Sequence, residues 1–209
     1  MLIVSLTGGI ATGKSIVAKS LQDLGCYLHY ADQIAHQFME PERPPWKKIV
    51  SRFGSGILNP DKTINRKKLG ALIFADEKKR NFLNQLIHPL VLEEKKKIIA
   101  KLEKDSHYKI FVSEAALTIE SGFADFFDKI IVVFCRKDIQ IKRLMERDNI
   151  NRDDALKKIG SQMSSEEKLK RADYVIDSSG SVQDTVQQTE KVFLNLMFDY
   201  EKKYEINKG

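Results

Sequence analysis

Cysteine is rare in this chain, and long apolar segments are absent. Only two cysteines, Cys26 and Cys135, occur in 209 residues. Each lies in or beside an apolar run, which predicts buried free thiols and suits a reducing compartment. No apolar stretch approaches the roughly 18 residues that a membrane-spanning helix needs. The apolar start, Met1 to Leu6, has no basic segment before it and stops at glycines, unlike a signal peptide. We therefore expect a soluble cytoplasmic protein.

The charge balance is only moderately basic. The chain has 35 Lys and Arg residues against 29 Asp and Glu residues, which gives a formal net charge of +6 at pH 7. Such an excess fits nucleic acid, an anionic membrane surface or small polyanionic substrates. The lysines are mixed with glutamates, as on solvated helix faces, and no nucleic-acid-reading motif with interleaved aromatic residues is present. We therefore expect small polyanionic molecules as partners, and neither nucleic acid nor membrane.

The most informative segment matches the pattern G-x-x-x-x-G-K-[ST], and it reads Gly8-Gly9-Ile10-Ala11-Thr12-Gly13-Lys14-Ser15. An apolar run, Leu2 to Leu6, precedes it, and a helix-like stretch to Leu21 follows it. A strand that runs through a glycine turn into a helix directs backbone N–H groups and the positive end of the helix dipole at one point. The context therefore predicts a phosphate site, although a chance glycine turn before a helix remains the alternative.

Four residues of this loop have distinct expected roles. Gly8 and Gly13 permit the tight turn and the close approach of a phosphate. Lys14 can reach the β- and γ-phosphates of a nucleotide, and the hydroxyl of Ser15 can bind Mg²⁺. The pattern thus predicts ATP and Mg²⁺ as ligands.

Strand-like runs alternate with helical patterns along the chain, which predicts an α/β fold with a five-stranded parallel sheet covered by helices on both faces. The runs are Leu2 to Thr7, Cys26 to Tyr30, Lys109 to Ser113, Lys129 to Phe134 and Tyr174 to Ile176. Between Met39 and Ser106 there is no convincing strand. That block instead has a Pro-rich hinge and helical patterns in Lys67 to Phe74, Glu77 to Leu86 and Leu90 to Leu102.

Two further segments complete the organisation. The polar block from Arg143 to Lys170 carries dense charge, which argues against a core role and predicts a mobile lid. The stretch from Val182 to Tyr200 has the apolar spacing of a packing helix, and we expect the tail, Glu201 to Gly209, to be frayed.

A phosphate loop alone is compatible with a kinase, a GTPase switch or an ATP-driven machine. The guanine-reading pattern N-K-x-D is absent, and the D-x-x-G match at Asp177 leaves only 29 residues after Gly180. A small kinase is the best remaining interpretation. Phosphoryl transfer requires charge neutralisation, alignment of the acceptor and exclusion of water.

Asp32 follows the second predicted strand, at the sheet edge where ligands of such folds bind. Its carboxylate could accept a hydroxyl proton or orient the acceptor, whereas the structural alternative is an N-cap for a helix that begins near Gln33. Arg143 and Arg147 are four residues apart and share a helix face. They could clamp phosphate oxygens, or they could simply pair with Glu146 and Asp148 on a surface helix.

The chain resembles the dephospho-CoA kinase family over about Leu2 to Val192. Besides the phosphate loop, the matching stretches are Tyr30 to Ala35, Phe53-Gly54, Arg66 to Leu69, Ile87-His88-Pro89, Arg147-Asp148, Gln162-Met163 and Lys168 to Asp177. Each stretch is weak alone, but the ordered set is specific. The resemblance implies transfer of the ATP γ-phosphate to the ribose 3′-hydroxyl of dephospho-CoA, the last step of coenzyme A synthesis.

The resemblance also implies roles for individual residues. The implied catalytic residues are Lys14, Asp32 and Arg147, and the implied acceptor-binding residues are Asp32, His36, Arg66, His88 and Glu114. The resemblance matches Ala11 to Ile16 to the ATP phosphate loop. Together with the loop pattern and Arg143, the predicted ATP-binding residues are Gly8, Gly9, Ala11, Thr12, Gly13, Lys14, Ser15, Ile16 and Arg143, with Ser15 as the Mg²⁺ ligand. For His88 alone, the sequence favours a helix-breaking His-Pro that shapes the helical block.

The chain departs from the family pattern at several positions. Tyr30 stands where the family usually has the first of two aspartates, so Asp32 must act alone. His36 replaces a common arginine, and Lys158 replaces a lid arginine, which keeps the charge but loses the planar fork. The family's Pro-Leu-Leu-aromatic-Glu segment reads Ala116-Leu117-Thr118-Ile119-Glu120. Glu114 before it either supports Mg²⁺ through water or caps a loop.

The sequence thus predicts one P-loop kinase domain over residues 1–209. The predicted core is 1–38, 107–142 and 172–200, the coenzyme-binding helical insertion is 39–106, and the lid is 143–171. We expect a monomer or weak homo-oligomer. The alternatives are a nucleoside or nucleoside-monophosphate kinase, and a nucleotide-binding regulator without acceptor chemistry.

Overall fold

The computed structural model describes residues 1–105 and 107–206 of the chain. Its strands and helices, in chain order, are β1 (Leu2–Gly8), α1 (Lys14–Asp23), β2 (Tyr27–Tyr30), α2 (Ala31–Phe38), α3 (Pro44–Phe53), α4 (Arg66–Ala75), α5 (Glu77–Asp105), β3 (Ile110–Glu114), β4 (Lys129–Phe134), α6 (Lys137–Asp148), α7 (Arg152–Gly160), α8 (Ser165–Leu169), β5 (Tyr174–Asp177) and α9 (Val182–Ile206). The predicted strands are confirmed, with no end shifted by more than one residue.

The five strands form one parallel sheet in the order β2-β3-β1-β4-β5. The register places Glu114 of β3 beside both Leu6 of β1 and Tyr30 of β2. Because the strands are parallel, their carboxyl ends lie along the same edge of the sheet. This edge carries the turn after β1, and the predicted α/β fold with a parallel five-stranded sheet is confirmed.

The main core lies between one face of the sheet and the helices α1 and α9. Alternate residues of β1 point to this face, as the two-residue period of a strand requires. They pack with apolar residues from both helices, and the members of this cluster include Leu2, Val4, Leu6, Val17, Leu21, Val192 and Leu196. The alternating β1 residues of the opposite face include Ser5 and Thr7, whose hydroxyls bind the segment after β3.

The chain divides into two compact units, and the division falls within α5. Residues 1–30 and 99–209 form the first unit, which contains the sheet. Residues 31–98 form the second unit, which contains only helices and short turns, with an isolated bridge between Leu58 and Ile64. The predicted boundaries of core, insertion and lid stay predictions.

Local sequence signals explain the helices of the second unit. Pro44 and Pro45 occupy the first positions of α3, where a missing N–H costs nothing. Asn65 caps α4 by accepting a hydrogen bond from the backbone N–H of Lys68. The buried Trp46 donates its ring N–H to the Lys62 carbonyl at 3.0 Å. The predicted absence of a strand holds for residues 39–105.

Three local predictions are wrong. His88-Pro89 does not break a helix, since α5 runs through it from Glu77 to Asp105 and joins two predicted helices. Asp32 is not an N-cap, because α2 begins at Ala31 and Asp32 lies within its first turn. The tail is not frayed from residue 201, because α9 continues to Ile206. Residues 207–209 of that tail lie outside the described residues.

The charged block from Arg143 to Lys170 has a small apolar core of its own, against the expectation from its charge. Leu144 and Ala155 are fully buried and pack with Ile141 of α6. Ile10 and Ala11 of the glycine turn pack against this cluster. The apolar residues of the block are few, but their helical spacing places them on one side.

Candidate active site

The turn between β1 and α1 has the geometry of a phosphate loop. Gly8 has φ +153° and lies so close to β4 that a Cβ atom would overlap the carbonyl oxygen of Val133. Gly13 has φ +84° and is the residue before α1, with no side chain that caps the helix. No side chain thus occupies the start of α1, and an anion is the ligand that a helix N-terminus favours.

Lys14 folds back over this turn. Its ammonium group donates hydrogen bonds to the carbonyl oxygens of Gly8 at 3.0 Å and Gly9 at 2.9 Å. The buried Thr12 hydroxyl also donates to the Gly9 carbonyl at 2.9 Å. Ser15 follows Lys14 on the first turn of α1 and is exposed. A cation and a hydroxyl-bearing residue thus lie at the N-terminus of α1.

Two glutamines that lie far away in sequence bind the two backbone polar groups of one loop residue, Ile10. The side-chain amide of Gln140, on α6, donates to the Ile10 carbonyl at 2.8 Å. The side-chain oxygen of Gln162 accepts from the Ile10 N–H, also at 2.8 Å. Sequence analysis assigned no role to either residue, although Gln162 lies in a stretch that matches the family.

Ser178, directly after β5, anchors the other end of the loop. Its buried hydroxyl donates to the Thr12 carbonyl at 2.7 Å. Arg143 donates to the hydroxyl and to the carbonyl of Ser178, at 3.2 and 2.9 Å. A Cβ atom on Gly13 would lie 3.8 Å from the Arg143 guanidinium. The structure thus brings Arg143 to the start of α1, whereas Ser178 was missed because no short motif marks it.

Arg147, one helical turn after Arg143, has a different environment. It is exposed, and its Nε donates to Asp148 at 2.9 Å. The ammonium of Lys158 donates to the other Asp148 oxygen at 2.6 Å. These two hydrogen bonds lower the pKa of Asp148 to about 2, and the bond from Arg147 has the larger effect. The pairing with Asp148 that sequence analysis gave as an alternative is therefore present.

Glu114 is the last residue of β3. The backbone N–H of the next residue, Ala115, donates to the Leu6 carbonyl at 3.1 Å. The side chain of Glu114 is half-buried at the carboxyl edge of the sheet. This edge also carries the turn that holds Lys14. The strand register thus places the predicted carboxylate of Glu114 at the edge where the phosphate loop begins.

Within the second unit, Asp32 and His36 lie one turn apart on α2. Asp32 is exposed in the first turn, where a carboxylate interacts favourably with the helix dipole. His36 is half-buried. Burial lowers the pKa of His36, the positive charge of Arg66 lowers it further, and the negative charge of Asp32 opposes both. These interactions place Arg66 and Asp32 within electrostatic range of one imidazole.

His88 on α5 has similar surroundings. Burial lowers its pKa, Asp32 raises it, and Lys95 lowers it. Asp32, His36, Arg66 and His88 therefore form one electrostatic cluster, and their predicted role in acceptor binding stays a prediction. Lys95 was missed, because a lysine in a Lys-rich stretch predicts a solvated face. It is only 5% exposed, and burial lowers its pKa to about 8.

A cavity of about 590 Å³ adjoins this cluster within residues 31–98. Its lining mixes the predicted acceptor-binding residues His36 and Arg66 with apolar and amide side chains, which include Met39, Leu69, Ile73, Leu83, Asn59 and Asn65. Small-molecule sites commonly have such a volume and a mostly apolar lining with a few polar groups. The cavity suits an organic ligand that carries an anionic group.

Two negative findings concern residues 1–105 and 107–206 only. No cluster of three or more His, Cys, Asp and Glu side chains in this part of the chain has the arrangement of a metal site. None of the described helices has the length and hydropathy of a membrane span.

Comparison with known proteins gives a consistent result. Residues 2–184 match the family model described as dephospho-CoA kinase. A dephospho-CoA kinase from Bacillus licheniformis is 42% identical over 190 residues, which cover 90% of this chain and 92% of that protein. The solved dephospho-CoA kinase from Campylobacter jejuni is 31% identical, with a TM-score of 0.67 over 93% of this chain and 96% of its own.

A more distant structure shows the fold alone. A shikimate kinase from Acinetobacter baumannii is 15% identical, with a TM-score of 0.52 over 95% of this chain and 94% of its own. The matched family model covers most of the chain, and it includes the phosphate loop, the electrostatic cluster and the residues that anchor the loop. The chain therefore belongs to the dephospho-CoA kinase family.

Proposed function

We propose that this chain transfers the γ-phosphate of ATP to the ribose 3′-hydroxyl of dephospho-CoA and releases coenzyme A and ADP. The observation that carries the proposal is the turn from Gly8 to Ser15, where Lys14 and the uncapped start of α1 converge on one point. Family membership supplies the acceptor. In this reaction the protein acts mainly by alignment and by stabilisation of charge.

On the nucleotide side, the ammonium of Lys14 would exchange the carbonyls of Gly8 and Gly9 for phosphate oxygens. This exchange is favourable because a charge-assisted bond to phosphate is stronger than a bond to a neutral carbonyl. Backbone N–H groups at the start of α1 would complete the phosphate contacts. The proposed ATP-binding residues are Gly8, Gly9, Ala11, Thr12, Gly13, Lys14, Ser15, Ile16 and Arg143.

Mg²⁺ fits this site through the chemistry of the donors. Ser15 offers an exposed hydroxyl beside the phosphate loop, and Glu114 offers a carboxylate at the same edge of the sheet. Hard oxygen donors and phosphate oxygens are the ligands that Mg²⁺ prefers. Ser15 would hold the ion directly, and Glu114 would act through water. When bound, Mg²⁺ would neutralise charge on the phosphates.

On the acceptor side, Asp32 would accept the proton of the attacking hydroxyl. Its exposed carboxylate lies in a cluster where His36 and His88 have lowered pKa values. Both imidazoles are therefore mainly neutral at pH 7, so they can donate and accept hydrogen bonds to the acceptor. Arg66 would supply a permanent positive charge to an anionic group of the acceptor in the adjoining cavity.

Arg143 and Arg147 would act on the transferring phosphoryl group. The bonds from Arg143 to Ser178 hold one guanidinium at the start of α1. Arg147 would have to leave Asp148 for the phosphate, which a lid formed by residues 143–171 permits. Arginine forks stabilise the spread charge of such transition states.

The proposal is tested with purified protein in a coupled assay of ADP release. We expect ADP formation that requires dephospho-CoA, with coenzyme A identified as the product by mass spectrometry. Lys14→Ala should lower turnover on the order of 10³-fold, because transition-state charge loses its main partner. Equal rates with nucleosides or nucleoside monophosphates would contradict the assigned acceptor. Tight ATP binding without any phosphorylated acceptor would indicate a regulator instead.

Mg²⁺ dependence, a monomeric or weakly oligomeric state and a cytoplasmic location stay predictions.

A further inference from the structure

Lys168, on α8, is a fully buried lysine in a segment whose other charged residues are mostly exposed. Its ammonium donates to the carbonyl oxygen of Ala116 at 2.8 Å and to the carboxylate of Glu120 at 2.5 Å. A buried ion pair is weak evidence for stability, since apolar residues of similar volume are often neutral or stabilising in its place. The pair therefore calls for a functional explanation.

Glu120 links this lysine to a second segment. The oxygen that binds Lys168 also accepts a hydrogen bond from the backbone N–H of Met163 at 3.3 Å. Its other carboxylate oxygen is buried and has no hydrogen-bond partner among the described residues. A half-satisfied carboxylate is expensive to bury, which again argues against a role in stability alone.

Gln162, the residue before Met163, holds the phosphate loop. Its side-chain oxygen accepts from the Ile10 N–H at 2.8 Å. This turn thus makes two hydrogen bonds: the side-chain oxygen of Gln162 accepts one from the loop, and the backbone N–H of Met163 donates one to Glu120. A displacement of this turn would therefore change both hydrogen bonds, the one to Ile10 and the one to Glu120.

The same chain of contacts returns to the phosphate loop at its other end. The Ala116 carbonyl that binds Lys168 also accepts from the hydroxyl of Thr7 at 3.2 Å. Thr7 precedes Gly8, the first residue of the glycine turn. The contacts therefore lead from Thr7 through Ala116 to Ile10, and the backbone between Thr7 and Ile10 closes the ring. We call it the anchor ring. Its members are Thr7, Ala116, Lys168, Glu120, Met163, Gln162 and Ile10.

We propose that Gln162, Glu120 and Lys168 are positioning residues that fix the phosphate loop for phosphoryl transfer through the anchor ring. None of them contacts a substrate in this proposal. They act on the Ile10 peptide and on the segment that follows Glu114. Because reacting groups must be aligned closely, a displacement of about 1 Å can cost on the order of 10²-fold in rate. The inference rests on the phosphate loop being the ATP site.

The first test uses Gln162→Met, which removes the acceptor of the Ile10 N–H and retains a side chain of similar length. We expect kcat to fall at least tenfold, while KM for dephospho-CoA stays within threefold of wild type. Lys170→Met, on an exposed residue next to α8, is the matched control and should leave kcat and KM unchanged. A Gln162→Met enzyme with kcat within twofold of wild type would overturn the proposal.

The second test separates positioning from stability. The double variant K168M/E120L replaces the ion pair with apolar side chains, so the melting temperature should stay within a few degrees of wild type while kcat falls about tenfold. The single variant Lys168→Arg retains Glu120 and a charged hydrogen-bond donor, so its kcat should be close to that of wild type. A double variant with wild-type kcat, whatever its melting temperature, would contradict the anchor ring.

The third test asks whether the members act through one ring. In the triple variant Q162M/K168M/E120L, the loss in kcat should be clearly smaller than the product of the two separate losses, because either change already releases the turn. A loss equal to that product would show independent effects and would overturn the ring. If Lys168→Met alone does not fold, Gln162→Met and Glu120→Gln still decide. An inactive wild type would instead refute the proposed function.

Discussion

The phosphate loop and the electrostatic cluster around Asp32 hold their functional groups in different ways. The loop is fixed by backbone geometry and by hydrogen bonds with the side chains of Gln140, Gln162 and Ser178. The cluster instead depends on burial and charge, which set the protonation of His36 and His88. One region is thus a rigid cradle for a constant charge, and the other is an adjustable set of titrating groups.

This difference predicts different sensitivities. The loop should be sensitive to any added atom and indifferent to pH, because its donors are mainly peptide groups and a lysine. The cluster should tolerate changes of shape better but respond to pH, because burial lowers the pKa values of two histidines and of Lys95, the last to about 8.

The largest effect is expected for Gly8→Ala. The new Cβ would overlap the Val133 carbonyl, and φ +153° is unfavourable for alanine. We expect the free energy of unfolding to fall by about 3 kcal/mol, from strain and overpacking together, with loss of ATP binding. Chemical denaturation and nucleotide titration measure the two effects.

Gly56→Ala is the matched control for that change. A Cβ on Gly56 meets no atom within 4 Å, and its φ lies outside the left-handed region. We expect stability and ATP affinity close to wild type. If Gly8→Ala were as stable as Gly56→Ala, the claim that backbone geometry fixes the phosphate loop would be wrong.

An intermediate effect is expected for Lys95→Met, and it depends on pH. The pKa of Lys95 is about 8 in the fold against its ordinary value of 10.5. Between these values the unfolded chain binds more protons than the folded chain, so Lys95 makes the protein more stable as pH rises. From pH 8 to pH 10, wild type should gain about 2 kcal/mol relative to Lys95→Met.

Denaturant titrations of both proteins across this pH range test the prediction. The exposed neighbour Lys96 provides the control, since Lys96→Met should show the same pH dependence as wild type. Parallel curves for wild type and Lys95→Met would mean that burial does not set the charge of Lys95.

The smallest effect is expected for Lys158→Met. The hydrogen bonds from Arg147 and Lys158 lower the pKa of Asp148 to about 2. This contribution to stability is present above about pH 4 and is lost as pH falls toward 2. All three groups are partly exposed, so we expect a loss below about 1 kcal/mol at pH 7, which vanishes in acid. Lys157→Met, on a more exposed lysine, is the control. A loss that persists at pH 2 would contradict the account.

The sheet and the phosphate loop could be predicted from sequence because their signals are local. Apolar runs mark the strands, and the spacing of Gly8, Gly13 and Lys14 fixes the turn. Even there, the left-handed Ala11, with φ +58°, could not be foreseen, since no residue type demands it. A local pattern predicts a shape but not every torsion angle within it.

Contacts between distant segments account for most of what sequence missed. Gln140 and Gln162 bind the backbone carbonyl and N–H of the same residue, Ile10, from 130 and 152 residues away, and neither forms a motif with it. Lys168 looks like one more surface lysine, yet it is buried against Ala116 and Glu120. Pro89 misled the helix prediction, because neighbouring residues keep α5 continuous through it.

The role of Asp32 is tested by the single-turnover rate of coenzyme A formation by Asp32→Asn, with enzyme in excess over ATP and with saturating dephospho-CoA. The substitution keeps the shape of the side chain and removes its charge. We predict a rate about 10² to 10⁴ times lower than wild type, as expected for loss of a general base, with the Kd for ATP within twofold. A rate within tenfold of wild type would contradict the role of Asp32 and the mechanism built on it.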